Sequence, residues 1–226
     1  MTDYMLEAFK GTRTAGNIAS AALDEVANII KPGIKTSDID KLCFEFINDH
    51  KALSAPLFYR GFPKTCCTST NHIVCHGIPK DKILKEGDIL NVDVTVLKDG
   101  WHGDTSRMYF AGEVSTKAKK LVKAAYDSMI KSIKILKNGV MVGDIGYEIQ
   151  SHVEKLGFSV VRDFCGHGVG KNFHEPPNIL HYGKPKTGEQ LKTGMIFTIE
   201  PMINEGQYET KILNDGWTAV TKDKKL

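Results

Sequence analysis

The stretch Asn91-Val92-Asp93-Val94-Thr95-Val96 alternates polar and apolar side chains without interruption. A period of two belongs to an extended strand, with Asn91, Asp93 and Thr95 on one face and the three valines on the other. Lys98-Asp99-Gly100 follows, and an Asp-Gly pair between two such runs signals a hairpin, because Gly accepts a positive φ. A two-residue turn there pairs Lys98 with Trp101 and Thr95 with Asp104. Asp93 then lies diagonal to Asp104 on the same face, roughly 7–8 Å away along the backbone. Two carboxylates converging in this way repel unless something positive sits between them. One or two divalent ions would meet that need; the other reading is a pair of exposed charges on a solvated sheet face.

Around this hairpin the chain reads as helices, strands, helices, strands. Ile18, Ala22, Val26 and Ile29 recur at helical spacing within a first helix over residues 3–30, stopped by Pro32-Gly33. A second helix begins after Ser37, whose hydroxyl can cap it, and carries Ile39, Leu42, Phe46 and Ile47. Short strands are expected over 56–110. Ser115 opens a long amphipathic helix expected to end near Asn138-Gly139, and a further helix fits 143–156. Strands resume over 158–164, 195–203, 208–213 and 217–221. This order predicts an α+β fold, a single domain over 1–226 with two α/β halves of similar plan.

At 226 residues and 41% hydrophobic, the chain has the means to bury such a core. No apolar run reaches the ~20 residues that span a bilayer, and no secretory leader is visible, so a soluble, cytoplasmic protein is expected. Five cysteines, an odd number, suggest reduced thiols. Thirty Lys and Arg against 27 Asp and Glu give a net charge of +3, too mild for sequence-specific nucleic-acid binding. Lys117, Lys119, Lys120, Lys123, Lys131, Lys134 and Lys137 read as one solvated helix face, with a ribosome- or RNA-facing patch as the alternative.

The second half offers further ligand types. Gly166-His167-Gly168-Val169-Gly170 sets an imidazole between glycines, which leaves room for a close approach of backbone or substrate. Phe197-Thr198-Ile199-Glu200-Pro201 embeds a carboxylate in an apolar strand, where it is costly unless paired or metal-bound. One histidine with three carboxylates is a mixed nitrogen and oxygen set, suited to a transition metal rather than to a closed structural zinc site. Cys66, Cys67, His72, Cys75 and His76 could form a rival zinc site, but they lack paired C-x-x-C spacing.

Together, Asn91-Val92-Asp93-Val94-Thr95, Gly103-Asp104-Thr105-Ser106, Gly166-His167-Gly168-Val169-Gly170, Phe173-His174-Glu175-Pro176, Thr198-Ile199-Glu200-Pro201-Met202, Val74-Cys75-His76-Gly77-Ile78-Pro79 and Asp215-Gly216-Trp217-Thr218 occur in the order seen in type I methionine aminopeptidases. The resemblance covers nearly the whole chain, and the short interval from His167 to Glu200 favours type I over type II. It implies the pita-bread fold, two pseudo-symmetric halves around a central antiparallel sheet. It implies two divalent ions (Co, Mn, Fe, Zn or Ni) held by Asp93, Asp104, His167 and Glu200, with Asp104 bridging and a water between the ions as nucleophile. It assigns substrate contact to His76 and stabilisation of the tetrahedral intermediate to His174, although both could be ordinary hydrogen-bonded histidines. A methionine pocket similar to the family's would be formed by Tyr59, Phe62, Cys67, Phe173 and Trp217, which suit a thioether. The implied substrates are N-termini of nascent polypeptides with a small second residue, and the implied state is a monomer.

The family also carries a fifth ligand, a glutamate in a Gln-Phe-Glu-His-Thr segment after the Trp217 region, and the sequence stops at Leu226 without it. The expectation is therefore of a C-terminally incomplete member, its last strand missing. Two divalent ions would face only three carboxylates, which should weaken the second ion. A truncated gene or an artificially shortened chain, a natural one-metal variant, and a non-catalytic peptide-binding module on the same fold are the three accounts this leaves.

Overall fold

The computed structural model describes residues 2–226. Its elements are α1 (Asp3–Ile29), α2 (Thr36–Asp49), β1 (Leu53–Ser54), β2 (Cys67–Thr70), β3 (Ile73–Cys75), β4 (Asp88–Lys98), β5 (Trp101–Ala111), α3 (Thr116–Lys134), α4 (Val142–Lys155), β6 (Ser159–Val160), β7 (Gly166–Gly168), β8 (Glu175–Ile179), β9 (Ile203–Asn204), β10 (Thr210–Ile212) and β11 (Ala219–Thr221).

The β4–β5 hairpin has the expected register: Lys98 faces Trp101, Thr95 faces Asp104 and Asp93 faces Ser106. Asp99 and Gly100 turn it with φ of 50° and 82°, the pair of positive values a tight hairpin turn needs. β4 is flanked on its other edge by β1 and β2, so its backbone is bonded on both sides. Val92, Val94 and Val96 are fully buried against Ala15, Ala19, Ala22, Leu23 and Val26 of α1 and Ile39, Cys43 and Ile47 of α2. Each such aliphatic side chain contributes about 1.5–3 kcal/mol when fully buried. The small residues along α1 allow it to press close onto the sheet. With the apolar face of β4 spent on the helices, Asp93 and Thr95 project from the opposite face.

The second half repeats the plan. α3 and α4 pack beside the β6–β9 and β7–β8 pairs, around Ile145, Ile149, Val153, Val160, Ile179 and Leu191. The halves meet where the His102 N–H donates to the Gly170 carbonyl at 2.8 Å, beside the hairpin's polar face.

Four expectations change. Ser37 lies inside α2 and donates to Asp81 at 3.0 Å; the helix starts two residues earlier than expected, at Thr36, with the Asp38 carboxylate accepting the Lys35 N–H. α3 ends at Lys134, short of Asn138-Gly139, because Gly139 and Val140 exchange backbone bonds with Leu191 instead of extending the helix. Residues 166–168, outside the strands expected from sequence, form β7. Residues 195–203 do not form a continuous strand. Ile196 and Thr198 bond to β7 and the residue after it, but Pro201 has no N–H to continue a ladder and the Glu200 N–H is taken by a side chain.

Candidate metal centre

Asp93 on β4, Asp104 on β5, His167 on β7 and Glu200 on the segment bonded to β7 converge where the halves meet. His167 Nε2 lies 3.4 Å from Asp104 Oδ2 and 3.5 Å from Glu200 Oε1. Its Nδ1 sits 2.9 Å from the Gly168 carbonyl; that contact requires a proton on Nδ1, so in the neutral ring the lone pair is on Nε2, which faces the carboxylates. The Thr95 hydroxyl donates to Asp104 Oδ1 at 2.9 Å. Thr198 joins two of the four residues: its hydroxyl accepts the His167 N–H at 3.0 Å and donates to Glu200 Oε1 at 2.6 Å. The room beside Gly166 and Gly168 is taken by backbone, since a Cβ there would come within 2.4 Å of the Thr198 carbonyl and 2.1 Å of the Pro176 carbonyl.

The charges are poorly matched without a cation. Burial, then Asp104 and Glu200, push the Asp93 carboxyl well above the usual carboxylate range. Burial, then Asp104, raise Glu200 to about 7 against the pull of Thr198 and His167. Burial opposes a charged His167, yet Asp104, the Gly168 carbonyl and Glu200 outweigh it and hold its pKa up. Among the described residues, no three His, Cys, Asp or Glu side chains surround one point as ligands of a single ion do; the donors rest against one another instead. The donor chemistry nonetheless fits a metal. Three acidic groups and one available imidazole nitrogen share a crowded site in which a divalent ion would relieve the repulsion.

Beside the ligands stands an aromatic wall. Tyr59 and Phe173 have centroids 4.9 Å apart, Phe173 and His174 4.2 Å, and His174 and His167 4.2 Å. Phe62 and Trp217 meet edge to face at 5.2 Å, and His76 reaches Trp217 at 6.2 Å. Cys67 is buried opposite Asp93 in the β2–β4 pair, where burial and then Asp93 keep its thiol protonated. Phe164, which carried no sequence signal, packs on His76 at 5.4 Å. Tyr59 does more than line a wall, because its hydroxyl lies 3.0 Å from His174 Nδ1. Burial, then His167, lower the His174 pKa to about 4, so the ring is neutral at pH 7. His76 holds a left-handed backbone, φ 55°, a strained state that the surrounding structure must enforce. Asp93, Asp104 and Glu200 also border a cavity of about 1510 Å³, which the aromatic wall does not line.

Residues 10–222 match the profile of metallopeptidase family M24. A methionine aminopeptidase of Rickettsia prowazekii is 54% identical over 215 residues, covering 95% of this chain and 83% of that protein. The chain belongs to family M24, among its methionine aminopeptidases. Methionine aminopeptidase A of Synechocystis is 53% identical over 95% of this chain and 85% of its own length. The crystal structure of the Thermotoga maritima methionine aminopeptidase superposes with a TM-score of 0.96 at 39% identity, covering all of this chain and 90% of that one. The fold is thus the pita-bread fold of this family, and the chain is a metallopeptidase of a class that works with divalent metal ions. A non-catalytic binding role is not favoured beside relatives this similar. No helix of the described residues is long and apolar enough to cross a membrane.

Sequence reading passed over the joining role of Thr198, though a hydroxyl two residues before Glu200 in extended chain falls on the same face. His181, which accepts the Glu200 N–H at 3.2 Å, carried no signal at all. The electrostatics of this metallopeptidase site predict a pH effect. With Glu200 raised from 4.5 to about 7, the folded chain holds a proton that the unfolded chain has already released in that window. Stability of chelator-treated protein should therefore fall as pH rises from about 5 to 8. Added divalent metal should restore it at pH 8. Thermal melts across pH with and without metal check this; a metal-free profile that rises over the window would contradict it.

Proposed function

We propose that the chain, acting as one catalytic domain over residues 1–226, removes the N-terminal methionine from nascent polypeptides whose second residue is small. The reading rests on one observation above all: Asp104, His167 and Glu200 meet at 3.4–3.5 Å beside a wall built from Tyr59, Phe173, Phe62 and Trp217. Asp93, Asp104, His167 and Glu200 would hold two divalent ions, and the mixed donor set suits Mn, Fe, Co, Ni or Zn. Bound divalent metal supplies a water made acidic near neutral pH and polarises the scissile carbonyl.

The remaining work falls to the chain's own residues. Phe62, Trp217, Phe173, Tyr59 and Cys67 would enclose the methionine thioether, which makes favourable contacts with aromatic edges. His174 is neutral at pH 7; with the Tyr59 hydroxyl as the donor to Nδ1, its proton would sit on Nε2. That N–H would hydrogen-bond the amide under attack. His76, fixed between Phe164 and Trp217, would orient the substrate. The proposed setting is the cytoplasm and the proposed state a monomer.

The test is methionine release from Met-Ala-Ser and Met-Leu-Ser peptides by metal-loaded protein, with ion binding counted by calorimetry. Expected are two ions per chain, turnover abolished by chelator, and a strong preference for the alanine peptide. Release of other N-terminal residues with equal efficiency would sink the substrate reading, and a single ion would sink the dinuclear one.

A further inference from the structure

His181 lies two residues beyond β8 and is fully buried. Its Nε2 is 3.2 Å from the backbone N–H of Glu200. A backbone N–H can only donate, so Nε2 must carry the lone pair and the ring proton must sit on Nδ1. That Nδ1 is buried and has no hydrogen-bond partner among the described residues, an arrangement native interiors avoid. Burial lowers the ring's pKa to about 3, so the neutral form is the one present. A leucine or phenylalanine could fill the same space without an orphaned N–H. What they could not supply is an acceptor for Glu200.

Among the described residues the Glu200 N–H has no second acceptor. Its neighbours on the segment are tied elsewhere: the Thr198 N–H to the His167 carbonyl at 2.8 Å, and the Met202 carbonyl to the Val161 N–H at 3.0 Å. Between these two ties, the bond to His181 holds the Glu200 peptide, while the Thr198 hydroxyl holds the carboxylate itself. We propose that His181 is a positioning residue for the metal site, holding Glu200 in its ligand orientation through the backbone rather than touching metal or substrate. The proposal rests on the reading of Glu200 as a metal ligand.

The test compares Mn²⁺ binding by calorimetry in the full chain and in two variants, with circular dichroism and melting as checks of folding. His181→Leu removes the acceptor at similar bulk and should weaken Mn²⁺ binding about 10–100-fold, the usual effect of losing a partner behind a ligand. His181→Gln keeps a side-chain oxygen near the position of Nε2 and should recover most of that loss. His181→Leu binding like the unmodified chain overturns the proposal, and so does His181→Gln binding as weakly as His181→Leu with its fold intact. If neither variant folds, imidazole ¹⁵N spectra of the unmodified chain decide: protonation at Nδ1 with Nε2 accepting supports it, and the opposite tautomer overturns it. An unmodified chain that binds no Mn²⁺ brings down the metal reading itself, an outcome visible before any variant is compared.

Discussion

Asp104→Asn is expected to lower kcat/KM for methionine release by at least about 10³-fold, well beyond the 10–100-fold that follows loss of a partner behind a ligand. The substitution keeps the shape of the side chain. Its oxygen can still accept the Thr95 hydroxyl now bonded at 2.9 Å, and its amide can donate to the His167 Nε2 that faces Asp104 Oδ2 at 3.4 Å. The fold should therefore survive, and the metal-free protein should be no less stable, since one of the crowded carboxylates is gone. What is lost is one of the three negative charges that would hold the proposed ions. The measurement pairs steady-state kinetics on a Met-Ala peptide with calorimetric counting of bound ions. Near-normal turnover with near-normal metal binding would remove Asp104 from the site.

Gly103→Ala is expected to be the most destabilising single methyl in the hairpin. A Cβ at that position would lie 2.0 Å from the Gly16 nitrogen and 2.4 Å from the Ala15 carbonyl carbon. Those atoms are helix backbone, which no rotamer change can move aside. α1 would have to lift from β5, weakening the contacts of Ala15, Ala19 and Ala22 with the buried faces of the sheet. Such clashes belong among the rare changes of more than about 4 kcal/mol, a large share of the roughly 5–15 kcal/mol that holds a domain together. The melting temperature should fall by about 10 °C or more, or the protein should fail to accumulate in soluble form. Gly16→Ala is the matched control, because a Cβ there meets nothing within 4 Å and replaces a helix-interior glycine, for a gain of up to about 1 kcal/mol. Similar melts for the two variants would refute the close helix–sheet contact.

Much of the site's first half could be read from the residues alone. Alternation placed Asp93 and Thr95 on one face, Asp99-Gly100 set the turn, and together they put Thr95 opposite Asp104, as the register has it. These are local relations, carried by the pleat and by the steric freedom of one glycine, so sequence is enough. The glycines around His167 were legible as close approach, but not as the crossing of one strand by two others. Which atoms fill the space beside Gly166 and Gly168 depends on Thr198 and Pro176, tens of residues away or on the returning strand.

Residues 195–203 show the limit from the other side. Their apolar pattern reads as a strand, yet only Ile196, Phe197 and Thr198 pair with β7 and the residue after it, and the path ends where Pro201 lacks a donor and His181 takes the Glu200 N–H. The pattern reports that side chains are buried; it does not report which acceptor each backbone N–H will find. The sequence by itself determined the hairpin, its register, the ligand types and the family. The tertiary structure decided how the ligands face one another: the tautomers of His167 and His181, the Thr198 hydroxyl between two ligand residues, and the Tyr59 hydroxyl on His174. Each of these is a hydrogen bond between residues distant in the chain or turned by a fold-specific backbone path, and hydrogen bonds demand angstrom-level placement that no local periodicity encodes.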